Sequence, residues 1–189
     1  MFLPSDACEL TLDPNTAHRD LSLSEDSRKV TLVDQSCPDH PERFDAWGQV
    51  LCREGLTGRC YWEAERGGQV DIGVAYRGMT RRGVGSDAVL GFNSKSWVLD
   101  CHDDNDDAPY AARHDGSGTV LRLTPPPRSN RVGVYLDRPA GSLSFYRVSP
   151  GGGGSPDTLT HIHTFQASFT QEVLLPGFAL DKSGSSASL

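Results

Sequence analysis

The sequence predicts an all-β protein, a bent antiparallel sandwich, on three observations. Apolar residues recur every second position rather than every third or fourth. Turn-forming residues punctuate the chain at short intervals. Twenty Gly and twelve Pro in 189 residues supply those turns, and 37% hydrophobic content is enough for one sizeable core.

Each strand is argued from its own alternation. RKVTLVD (28–34) and QVLC (49–52) are short β-branched or apolar runs. In RCYWEAE, Cys60, Trp62 and Ala64 alternate with Tyr61, Glu63 and Glu65. In QVDIGVAY, Val70, Ile72, Val74 and Tyr76 share one face, with Gly73 and Ala75 on the other. AVLGF (88–92), SWVLDCH (96–102) and VLRL (120–123) follow as further strand candidates. NRVGVYLD aligns Val132, Val134 and Leu136, and GSLSFYR aligns Leu143 and Phe145. LTHIHTF (159–165) and EVLLPGFAL (172–180) complete the set. Turn signals separate them at Asp13-Pro14, Gly67-Gly68, Pro125–Pro127, Pro139-Ala140-Gly141 and Gly151–Gly154. The only helix-like piece is PNTAHRDL, with Pro14 suited to a first turn.

Charge and cysteine usage narrow the function classes. A net charge of −7 argues against the basic face that a phosphate backbone requires, so nucleic acid is not the expected partner. Five scattered Cys without a C-x-x-C pair read as reduced thiols of a cytoplasmic protein. The first residues lack a signal-peptide pattern, and no apolar run reaches membrane-spanning length.

SWVLDCHDDNDD (96–107) holds the densest chemistry. A calcium loop opened by Asp103 would place Ala108 where a Gly is needed and His114 where a bidentate Glu is needed, which excludes an EF-hand. Cys101, His102 and His114 match no usual zinc spacing, and the H-x-H of His161 and His163 reads as a polar strand face. No metal or other cofactor is expected. GVGS (83–86) lacks the last Gly of a dinucleotide fingerprint, and no nucleophile elbow, zincin or phosphate-loop motif occurs. The carboxylates Asp100, Asp103, Asp104, Asp106 and Asp107 have no evident desolvation to split their pKa values, so an enzyme is not expected. Period two instead sends Trp97, Leu99 and Cys101 inward and Val98, Asp100 and His102 outward, a platform for recognition.

Together these stretches resemble a PRY–SPRY domain, the C-terminal module of many tripartite-motif (TRIM) ubiquitin ligases, also present in NOD-like receptors and stonefish-type toxins. The carrying motifs are LTLDPNTAHRDLSLSEDSRKVT (10–31), GRCYWEAE (58–65) and VGVYLDRPAGSLSFY (132–146), with PDHPERFD, GFNSKSWVL and LLPGFAL in the family's order. Ala64 stands where Val is commoner, and Arg138 where an aromatic residue is frequent. The wording of the boxes is most like fish members.

The resemblance implies a linker over 1–6 and one domain over 7–189, with PRY near 7–57 and SPRY near 58–189. It implies a non-catalytic module that binds a protein or peptide target, viral or immune-signalling, for a ligase whose RING lies elsewhere. It implies a monomeric isolated domain and a whole protein paired through a coiled coil. Family loops map onto Asp34–Trp47, including Arg43 and Phe44; onto Arg77, Met79, Arg81 and Arg82; onto Asp103–Asp107, including Asp103 and Asp104 and ending near Tyr110 and Arg113; and onto Pro150–Thr158. With Val98, Asp100 and His102 these residues form the expected partner-binding set. The alternatives are a ligand-sensing domain of a NOD-like receptor and a glycan- or RNA-binding sandwich.

Overall fold

A computed structural model describes residues 4–102, 109–122 and 129–189. Among the described residues the strands, numbered in chain order, form two antiparallel sheets. The seven-stranded sheet runs β1 (Leu21–Leu23), β2 (Lys29–Leu32), β13 (Ser186–Ser188), β4 (Arg59–Gly67), β9 (Arg131–Asp137), β10 (Ser142–Ser149), β11 (Thr158–Gln166). The six-stranded sheet runs β3 (Gln49–Leu51), β12 (Leu174–Leu180), β5 (Val70–Tyr76), β6 (Ser96–Cys101), β7 (Tyr110–His114), β8 (Ser117–Leu121).

The alternation read from the sequence sets what lies between the sheets. Cys60, Trp62 and Ala64 of β4 and Val132, Val134 and Leu136 of β9 meet Val70, Ile72 and Val74 of β5 and Trp97, Leu99 and Cys101 of β6. Each fully buried large aliphatic side chain here stabilises the fold by about 1.5–3 kcal/mol. Trp97 fixes one end of this layer. It stacks on His114 at 4.4 Å and meets Tyr76 and Phe169 edge-on.

Four expectations are corrected. AVLGF is not a strand: Ser86–Ala88 is a 3-10 turn, and the segment then crosses the outer face of the six-stranded sheet. The amide of Gln49 replaces a strand partner there, donating to the Ala88 carbonyl and accepting from the Leu90 N–H. PNTAHRDL is a turn rather than a helix, because the Asp13 carboxylate accepts from the Asn15 N–H and Thr16 bonds the Asp13 carbonyl. Cys8 and Cys60 are joined by a disulfide, so the five thiols are not all reduced; Cys37, Cys52 and Cys101 are free. Finally, β6 is buried on both faces, so Val98 and Asp100 do not lie on an open outer surface.

The reason for that last correction is a second, smaller core. Val98 and Ala75 on the outer face pack with Leu51, Leu175, Phe44, Met79 and Leu90. The last three come from loops that fold back over the sheet. Gly91 permits the crossing: its φ is +85°, and a Cβ there would stand 2.6 Å from Val98 Cγ2.

Candidate partner-binding site

The second core covers only half of the outer face. Beyond it, past the Gln49 bridge, a cavity of about 460 Å³ opens over Asp71 of β5, Asp100 of β6 and Arg113 of β7. Its walls are loop residues. Trp47, Val84 and Phe92 line it, and they are three of the five large apolar side chains that stand exposed among the described residues. Exposed apolar residues scattered singly carry no meaning; three gathered on one concavity do.

These walls are held, not loose. Asp45 accepts from the Gly83 N–H at 2.8 Å, joining the segment that carries Trp47 to the one that carries Val84. Arg82 pairs with Asp39 at 3.1 Å and lies 3.9 Å from Asp45. The Asn93 amide donates to the carbonyls of Ser86, Asp87 and Val89, closing the turn before Phe92.

The floor is electrostatically unusual. Asp71 and Asp100 are direct partners across the β5–β6 ladder, so their side chains rise side by side. Asp100 is 6% exposed. Its Oδ2 accepts from Arg113 Nε and Nη2, both at 3.2 Å, and lies 3.1 Å from His102 Nε2. Its Oδ1 is shut off from solvent and takes no bond from Arg113, which leaves the neighbouring Asp71 carboxyl as the group that can serve it. Burial pushes the Asp71 carboxyl well above the usual carboxylate range; neighbouring Asp100, bonded to it, and Asp181 add to this, and Arg113 opposes it. The Arg113 guanidinium also lies 5.5 Å from the Phe92 ring centre.

The structure brings together Asp100, His102 and Arg113 from the expected set. It separates the others. Phe44, Met79 and Val98 belong to the second core and Tyr110 to the first, so direct contact of these four with a partner is corrected. Arg43 and Arg81 are struts: Arg43 donates to the carbonyls of Pro14 and Ala17, and Arg81 to those of Met79, Glu42 and Arg77. Arg77 lines a second cavity with Arg53 and Glu42. Asp103 and Asp104 lie outside the described residues. Sequence reasoning missed Trp47 as a wall, and Phe92, Asp71 and Asp181 altogether. Only Asp71 left a signal, as the charged residue on the non-core side of QVDIGVAY.

A two-sheet sandwich carrying a loop-walled, apolar-rimmed concavity defines a binding module of the all-β class. The comparisons narrow that class. Residues 10–56 match the SPRY-associated domain PRY, and residues 59–189 match the SPRY domain. The chain belongs to the PRY–SPRY family, whose members are non-catalytic modules that generally bind proteins. It is 42% identical to stonustoxin subunit beta of Synanceia horrida over 92% of this chain and 23% of the toxin subunit. It is 42% identical to tripartite motif-containing protein 14 of Mus musculus, over 90% of this chain and 37% of that protein. The chain thus spans well under half of these relatives. Among solved structures, the TRIM65 PSpry domain superposes with a TM-score of 0.82 at 30% identity, covering 98% of this chain and 90% of that one.

Proposed function

We propose that this domain captures a target protein by seating one of its segments in the cavity above Asp71 and Asp100. The observation that supports this most is the gathering of exposed Trp47, Val84 and Phe92 around a charged, sheet-built floor. Aromatic anchors at the centre of a pocket carry most of the energy in protein interfaces. In a TRIM-type parent, the capture would select the substrate for ubiquitination by a RING elsewhere in the chain, in cytoplasmic innate defence. Alone, the domain acts as a monomer.

Selection of random peptides displayed on phage against the domain tests this reading. Enriched peptides should lose at least about tenfold in affinity on Trp47→Ala/Phe92→Ala. Peptides that bind this double variant as well as the parent, or a library that yields no binder, would overturn it.

A further inference from the structure

Resting on that reading, we propose that the cavity takes the arginine side chain of the partner segment, with its guanidinium on Asp71. Three carboxyls, Asp71, Asp100 and Asp181, line one cavity in which Arg113 is the only cation among the lining residues. One of them, Asp100, is more than nine-tenths buried, and its Oδ1 has no donor other than the neighbouring Asp71 carboxyl, so ionising Asp71 leaves the pair one cation short. The site already shows what it accommodates. Arg113 packs its guanidinium over Phe92 while bonding Asp100 through two nitrogens. That geometry satisfies one oxygen of the pair and leaves the Asp71 side without an equivalent. Trp47, which also lines the cavity, offers a second aromatic face for a flat cation.

Seating the guanidinium moves a proton. Below its raised pKa Asp71 is protonated in the free domain; when the cation arrives, the proton leaves to solvent and the carboxylate pairs with the guanidinium. The charged groups facing Asp71 are Asp100 from β6, with His102 beyond it, Arg113 from β7 and Asp181 after β12. β12 itself and β3 line the cavity with uncharged residues only, Ala179 and Leu180 from the one and Gln49 from the other. Affinity therefore falls as pH drops below the raised pKa of Asp71, by up to about tenfold per pH unit.

The probe is acetyl-Leu-Arg-Leu amide against its citrulline counterpart, titrated at millimolar concentration into the isotope-labelled domain. We expect the arginine peptide to shift the Trp47 and Phe92 signals and the citrulline peptide to bind at least about tenfold more weakly. Asp71→Asn should abolish the difference and flatten the pH profile. This variant mimics the protonated side chain, so it keeps the fold. Asp181→Asn, on an exposed residue, should weaken the arginine peptide while leaving the Asp71–Asp100 pair in place, and should lower the pH at which binding is lost. Equal binding of the two peptides, or no binding of either, would overturn the inference. Phage-selected binders that need Trp47 and Phe92 but no arginine would overturn it alone, leaving the functional reading standing; binders indifferent to both aromatics would remove that reading as well.

Discussion

Val98 and Asp100 sit two residues apart on the same face of the same strand, yet they live in different places. Val98 lies beneath Phe44, Met79 and Leu90 in a dry second core. Asp100 lies on the floor of an open cavity. The same loop material makes both environments, because residues 85–92 cover the sheet with Leu90 and then raise Phe92 as a wall. The covered half secures the loops that give the open half its shape. Stability and recognition are thereby divided across one sheet face.

The covered half should be the more sensitive to truncation. Phe44→Ala removes a fully buried ring and should cost about 3–5 kcal/mol, read as a lower denaturant midpoint. A loss under about 1 kcal/mol would mean that the second core does not hold the loops. On the open half, Arg113→Ala strips Asp100 of its main partner. Because Arg113 is partly solvated and His102 remains, the expected cost is smaller, about 1–3 kcal/mol.

Asp71→Asn sharpens the comparison by going the other way. An unfolded chain releases this proton near pH 4 while the folded one keeps it, so the folded state binds more protons above that pH. Asp71 therefore subtracts from stability as pH rises toward its folded pKa. The Asn variant should melt a few degrees higher at neutral pH, with the gain vanishing below about pH 4. Thermal melts across that range would show it. An open cavity kept at a cost in stability is consistent with selection for binding.

The sandwich itself was legible from the strand period, most clearly in β4, where a single buried face imposes alternation. What escaped were elements that alternation does not mark: β13 is only Ser-Ala-Ser, and β7 buries small Ala111 and Ala112. The site was half legible. Asp100 and His102 stood out by position, whereas Asp71 joins them only through the β5–β6 register, which no single strand reveals. Phe44 and Met79 were expected to meet a partner because they sit in variable loops. Loops covering a sheet must themselves bury apolar anchors, and these two are such anchors.

The central claim is that the partner is held by the open half of this face. The direct measurement is the affinity of a selected peptide for Trp47→Ala/Phe92→Ala, taken beside the variant's thermal midpoint. Both side chains are substantially exposed, at 42% and 39%, so the midpoint should barely move while affinity drops at least about tenfold. Unchanged affinity with an unchanged midpoint would contradict the account.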